Sequence, residues 1–257
     1  MNPAGKRILV TRSEEQNEEL AILVRRAGFV PVLFPTIRLV PPEDSGPLDR
    51  EIGRLSSFDW ILFSSANAAR FFCDRTSQLG IASWPSDLRV ASVGPGTTRE
   101  LVSSGVRVFL TAEKHTAEGL YEAIRPHGVA RRRFIVPRVE EWKDYLAEAI
   151  RRDGGEAVSV VAYRNVIAEK DDEVAAQIVA RPPDVCIFAS PSSFTNFFLL
   201  LGEEDAKNVL EKSRIAAIGE VTARAVRAME FNVDIMPATY TLKALMEAVE
   251  AFFDNPE

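Results

Sequence analysis

The chain has 257 residues, a net charge of −6, and a composition of 46% hydrophobic and 26% charged residues. That length suits one large domain or two of modest size, and no apolar run approaches the roughly 18 residues of a membrane span. The acidic balance runs against a general nucleic-acid binder, and two histidines (His115 and His127) with two cysteines (Cys73 and Cys186) supply too few ligands for a zinc centre or a histidine-based triad.

From the N-terminus, Met-Asn-Pro-Ala-Gly-Lys-Arg leads directly into an apolar run, Arg7–Val10, with no apolar signal core before it. Ser13-Glu14-Glu15-Gln16 reads as a capping box that starts a helix. Leu20, Leu23, Val24 and Ala27 keep helical spacing up to Gly28, and Val30–Phe34 is the next strand. Thr36–Val40 is extended and runs into the polar, proline-rich stretch Pro41–Pro47.

Strands are then expected at Trp60–Phe63, Val90–Val93 and Val106–Leu110, with helices at Ala66–Cys73, Thr97–Ser104 and Thr116–Ile124. Phe134–Val136, a helix through Leu146, Ala149 and Ile150, and Val158–Ala162 form a second strand–helix–strand unit. Ala162–Val166 leads to the polar stretch Ala168–Asp172. After it come Val185–Phe188, Ser192–Leu201, Ile215–Ile218, Thr222–Met229, Val233–Met236 and Thr241–Phe253, strands alternating with helices. Such alternation argues parallel sheets covered on both faces. The cysteines lie in apolar surroundings and read as buried thiols of a reducing cytoplasm.

The chain also repeats itself. Ile61–Asn67 aligns with Cys186–Ser192 (188 − 63 = 125), Val90–Thr97 aligns with Ile215–Thr222 at the same offset, and Ile8–Arg12 aligns with Phe134–Arg138 one residue further on. Repetition on this scale predicts two similar domains, and two similar domains facing each other make a cleft. A tandem duplication needs one linker, near residues 125–132. The two polar crossings, at Pro41–Pro47 and Ala168–Asp172, instead imply one domain inserted into the other.

In open α/β sheets, ligands bind beyond the carboxyl ends of the strands, where helix N-termini hold anions. Small polar residues gather at those turns: Thr11, Arg12 and Ser13; Ser64, Ser65 and Asn67; Gly94, Gly96 and Thr97; Arg138; Ser190 and Ser192; Gly219 and Thr222. Each hydroxyl is either an ordinary N-cap or part of an anion site. Gly94-Pro95-Gly96 lacks a third glycine for a dinucleotide fingerprint, and no Walker loop is present.

These loops carry a resemblance. Leu9–Arg12, Phe63–Ala68, Val93–Thr97, Thr116–Leu120, Val161–Arg164, Phe188–Ser193 and Ala217–Gly219 with Thr222 follow in order, and over essentially its whole length the sequence resembles uroporphyrinogen-III synthase. The resemblance implies two parallel-sheet, flavodoxin-like α/β domains joined by a two-stranded ladder: residues 1–36 with 170–257, and residues 41–165. It implies ring closure of hydroxymethylbilane to uroporphyrinogen III, with loss of water and inversion of the last ring through a spiro intermediate. It further implies no cofactor, metal, nucleic acid or membrane, a cytoplasmic monomer, and transient contact with the enzyme that makes the bilane.

The substrate-binding set implied is the list of turn residues above without Ser13, the deepest expectation resting on Ser64, Ser65 and Thr97. Tyr163 is the implied general acid, set against its plain reading as a packed hinge tyrosine. Glu220 departs from the family pattern; it either points away or marks a loop that touches the substrate less. Two other readings stay open, an inactive regulatory tetrapyrrole-binding module of the same fold and a two-domain solute-binding protein.

Overall fold

The computed structural model describes residues 5–141 and 144–254. Met1–Ala4 of the expected leaderless start therefore lie outside the described residues, as does the side chain of Gln16. In chain order, β1 (Arg7–Val10), α1 (Glu14–Arg26), β2 (Val30–Leu33), β3 (Ile37–Val40) and α2 (Gly46–Ile52) are followed by β4 (Trp60–Phe63), α3 (Ala66–Gln78), β5 (Arg89–Ser92) and α4 (Pro95–Ser103). Next come β6 (Leu110–Thr111), α5 (Ala117–Ile124), β7 (Arg133–Val139), α6 (Tyr145–Arg152), β8 (Glu156–Ile167) and α7 (Asp172–Ala180). The chain ends with β9 (Val185–Phe188), α8 (Pro191–Leu201), α9 (Glu203–Glu211), β10 (Arg214–Ala217), α10 (Glu220–Ala228) and α11 (Leu242–Asp254).

The chain divides into two compact units, Met1–Arg38 with Val166–Glu257, and Leu39–Asn165. It passes between them at β3 and β8, which are neighbours in one sheet. The first unit holds a parallel sheet in the order β10-β9-β1-β2. The second holds β3-β8-β7-β4-β5-β6, parallel from β8 to β6. Mapped through the repeat, β5-β4-β7-β8 is the counterpart of β10-β9-β1-β2. Each sheet thus joins a strand–helix–strand segment of one copy to the two following strands of the other.

Both sheets are buried on two faces, which is why the central strands are apolar without alternation. Successive residues still serve opposite cores. Ile61 and Phe63 of β4 pack with Phe72, Leu101 and Ile135, whereas Trp60 and Leu62 pack with Leu120, Phe134 and Ile150. In β9, Cys186 and Phe188 pack with Phe194 and Phe197, and Val185 and Ile187 pack with Ile8, Leu20 and Leu245. Phe188 meets Phe194 edge-on with centroids 5.0 Å apart, a favoured aromatic geometry. Both cysteines are buried and unpaired. Burial pushes the Cys73 thiol up to about 11 and Cys186 up to about 12, so neither is a ready nucleophile.

Several local expectations give way. The strand expected at Val106–Leu110 shrinks to Leu110–Thr111, and that at Val233–Met236 to one bridge between Ala216 and Ile235. Short edge segments gain few ladder bonds, so loop geometry wins there. Val158–Ala162 and Ala162–Val166 are parts of one strand of 12 residues. Helices α2 and α7 begin at the ends of the polar stretches Pro41–Pro47 and Ala168–Asp172, and α9 lies where no element is expected; Asp171 caps α7 by accepting from Glu173 N and Val174 N. Ser13 makes no side-chain cap bond, and its Oγ is buried without a partner among the described residues. Asn17 Oδ1 instead accepts from Arg12 N at 3.0 Å.

An aspartate ties the foot of each sheet. Asp59 Oδ2 accepts from Arg133 N and Asp184 Oδ2 from Arg7 N, both at 2.8 Å, and the two are again 125 apart (184 − 59). Burial works against the charge of Asp184, but the Lys6 ammonium at 2.7 Å and the Arg7 N–H outweigh it and hold the carboxyl below its usual range. A lowered folded pKa stabilises the fold above the ordinary carboxylate range and loses that stabilisation as pH falls through the lowered value. Asp184→Asn should therefore cost about 1–3 kcal/mol in urea unfolding at neutral pH, with the gap to the unsubstituted chain closing in acid. An unchanged midpoint at neutral pH would refute the assignment.

Candidate active site

Each sheet winds in two directions from an inner pair of strands. β1 leads through α1 to β2 on one side, and β9 leads through α8 and α9 to β10 on the other, so the first unit switches direction between β1 and β9. In the second unit the switch lies between β7 and β4. Open parallel sheets bind ligands at the carboxyl ends beside such a switch. Thr11 and Arg12 follow β1, Ser190 and Ser192 follow β9, and Gly219 and Thr222 follow β10. Ser64, Ser65 and Asn67 follow β4, Gly94, Gly96 and Thr97 follow β5, Arg138 lies near the end of β7, and Tyr163 lies in β8. Every expected residue thus sits at the carboxyl edge of its own unit except Tyr163, which pairs with Val139 beyond a register shift in β7.

The side chains divide by what they already hold. Thr11 is fully buried and its Oγ1 donates to Ile187 O at 2.8 Å. Thr36 Oγ1 in turn donates to Thr11 O at 2.7 Å, and Asn196 Nδ2 to Thr36 O at 2.9 Å. The Thr11 hydroxyl is therefore a stitch across the sheet edge, so any contact Thr11 offers a ligand is through its backbone. Thr97 and Thr222 are also buried, at 4% and 2% exposure, so any contact they offer is through the backbone. Ser65 Oγ accepts from Ala68 N at 3.1 Å. Ser190 Oγ accepts from Ser193 N at 3.0 Å in a capping box, with Ser192 Oγ 3.0 Å away. These serines satisfy their own helices. Ser64 and Asn67 are half-buried and make no side-chain hydrogen bond among the described residues. Arg138 turns back onto its own chain, Nη1 donating to Val139 O at 2.8 Å and Glu140 O at 2.7 Å, while its buried Nε has no partner among the described residues.

The starts of α4 and α10 carry no hydroxyl cap. Their N-caps are Gly94 and Gly219, which have no side chain to offer. The first N–H groups bonded inside are Thr98, to Gly94 O, and Ala223, to Gly219 O, both at 3.0 Å. The N–H groups of Gly96 and Thr97, and of Glu220, Val221 and Thr222, have no protein acceptor among the described residues. Open donors at a helix start, reinforced by the helix dipole, favour an anion. Glu220 is turned along its helix to Arg227, 3.1 Å away, so its charge is paired.

The sequence model described as Uroporphyrinogen-III synthase HemD matches residues 18–247. The uroporphyrinogen-III synthase of Synechococcus elongatus is 30% identical over 254 residues, covering 96% of this chain and 95% of its own. That of Chlorobaculum parvum is 29% identical, covering 95% of this chain and 100% of its own. The chain belongs to the uroporphyrinogen-III synthase family. In fold it is similar to the crystal structure of uroporphyrinogen-III synthetase from Helicobacter pylori, with a TM-score of 0.62 at 15% identity, over 96% of this chain and 99% of that one.

Within this family member Tyr163 stands at the end of a stack. Its ring lies parallel to Phe71 at 5.3 Å, and the Arg70 guanidinium covers Phe71 at 4.7 Å. The ring is 7% exposed and the hydroxyl makes no hydrogen bond among the described residues. Sequence reasoning missed the hydroxyl chain beside α4, where Thr98 Oγ1 lies 2.7 Å from both Ser92 Oγ and Thr111 Oγ1; the adjacent threonines at positions 97 and 98 are the available signal, and only helical phase separates them. The division of labour among the serines is testable. Ser65→Ala and Ser190→Ala should each cost about 1 kcal/mol of stability, whereas Ser64→Ala should stay within about 0.5 kcal/mol. Equal losses at all three positions in chemical denaturation would contradict it.

Proposed function

We propose that the chain closes hydroxymethylbilane to uroporphyrinogen III, releasing water and inverting the last pyrrole ring, in tetrapyrrole biosynthesis. The observation that carries this reading is the pair of glycine-capped helix starts, at the carboxyl edges of two like sheets, in a chain of this family. The bilane carries eight carboxylates. Open N–H groups at α4 and α10 suit carboxylates, because fixed dipoles need no reorganisation when charge arrives.

The bilane closes unaided, but to isomer I. The task is therefore orientation, and holding a flexible chain in a reactive geometry accounts for much of a rate enhancement. In our reading Tyr163 donates its phenolic proton to the departing hydroxyl, the C–O bond breaks with its electron pair, and water leaves. The substituted carbon of the last ring attacks the resulting cation, the spiro intermediate rearranges, and closure releases a proton that restores the phenol. No helix of the described residues is long and apolar enough to cross a membrane. We assign the activity to a cytoplasmic monomer that needs no cofactor and takes the bilane from the preceding enzyme.

Incubating the purified chain with hydroxymethylbilane and separating the product isomers tests the reading: isomer III should dominate, and isomer I alone at the spontaneous rate would reduce the chain to a binding module. Tyr163→Phe keeps the ring stacked on Phe71 and removes only the hydroxyl. It should slow isomer III formation by about 10- to 100-fold with no loss of stability. An unchanged rate would remove Tyr163 from the mechanism.

A further inference from the structure

Each open helix start lies beneath a ring. A Cβ added at Gly94 would come within 2.9 Å of His115 Cδ2 and 3.1 Å of its Cγ. A Cβ at Gly219 would come within 2.9 Å of Tyr240 Cγ and 3.0 Å of its Cδ1. The backbone at both glycines is extended, with φ 170 and ψ 177 at Gly94 and φ −177 and ψ 178 at Gly219. Any residue adopts that conformation, so the ring, not the dihedral, requires glycine. The two pairs obey the repeat, since 219 − 94 and 240 − 115 are both 125.

Each ring residue directly precedes a capping threonine. Thr116 Oγ1 accepts from Gly119 N at 3.0 Å and Thr241 Oγ1 from Ala244 N at 3.2 Å, capping α5 and α11. Both rings are also exposed, Tyr240 by 63%, and neither makes a side-chain hydrogen bond among the described residues. An exposed ring contributes little to stability, so core packing does not explain why the same ring-on-glycine contact is kept in both units.

We infer that His115 and Tyr240 are positioning residues for ring closure: each ring presses on its glycine, holds that peptide flat, and so aims the open N–H groups of α4 and α10. The inference rests on the functional reading above, and the two can fail separately. His115→Ala and Tyr240→Ala should each raise KM for hydroxymethylbilane about 10-fold, since small misplacements of orienting groups are costly. The share of isomer III should fall, and the thermal midpoint should not move. The variants His115→Phe and Tyr240→Phe keep a ring and should recover most of the loss.

The glycines supply a second test, and His115→Phe, which keeps a ring, stands in should His115→Ala fail to fold. Gly94→Ala alone should impair closure, because its Cβ meets the imidazole, while added to His115→Ala it should cost little more; such non-additivity marks a direct coupling. If the chain makes isomer III and the alanine variants leave KM and isomer ratio unchanged, the positioning role is overturned alone. Phenylalanine variants as impaired as alanine ones would overturn it too, as would additive losses at Gly94 and His115. A wild-type chain that makes only isomer I overturns the functional reading and this inference together.

Discussion

The pairing of β1 with β9, and of β7 with β4, is the constraint on which the rest depends. Neither strand–helix–strand segment, β1 to β2 or β7 to β8, contains the partner that its inner strand needs. Each finds it in the other copy of the repeat. That pairing turns a linear duplication into two interleaved sheets, and it creates in each a place where the winding reverses. Loops diverge at a reversal, which leaves the carboxyl edge accessible. The aspartates Asp59 and Asp184 lock the same inner strands at the opposite end through their backbone N–H groups.

What the edge presents is decided by how each helix starts. Where serine is the N-cap, its hydroxyl takes one N–H, that of the third helical residue. Where glycine is the N-cap, the donors stay open, and proline at the first position of α4 removes one of them without cost to the helix. The polar turns thus do two jobs that look alike in composition. The hydroxyl-rich turns bond their own helices, and in the reading proposed above the bare ones take an anion. A reaction that needs orientation more than strong acid–base chemistry fits such an edge, and the proposed acid, Tyr163, is stacked on the Phe71 ring.

Much of this was legible in the sequence because it rests on patterns that local physics enforces. Apolar runs such as Trp60–Phe63 and Val185–Phe188 are buried on both faces, and the offset of 125 carries the topology with them. Elements with weak local drive were not legible. Val106–Leu110 and Val233–Met236 lie where an edge segment has little to pair with; α7 and α9 begin with acidic residues that mimic loops, and α2 begins with Gly46 and Pro47. Within the edge, the sequence cannot distinguish a hydroxyl bonded within the scaffold, as at Ser65 and Thr11, from one with no partner among the described residues, as at Ser64. The rings were missed for a different reason. His115 and Tyr240 differ chemically, and only their shared offset from Gly94 and Gly219 relates them.

The central claim, proposed above, is that the glycine-capped turns hold anions through their open N–H groups. Amide resonances followed by NMR during titration with uroporphyrinogen III, kept reduced, test it directly. The amides of Gly96, Thr97, Val221 and Thr222 should shift and saturate together, while those of Ala68 and Ser193, already bonded to their caps, stay in place. Saturating shifts at Ala68 and Ser193 with none at the glycine-capped turns would contradict the account.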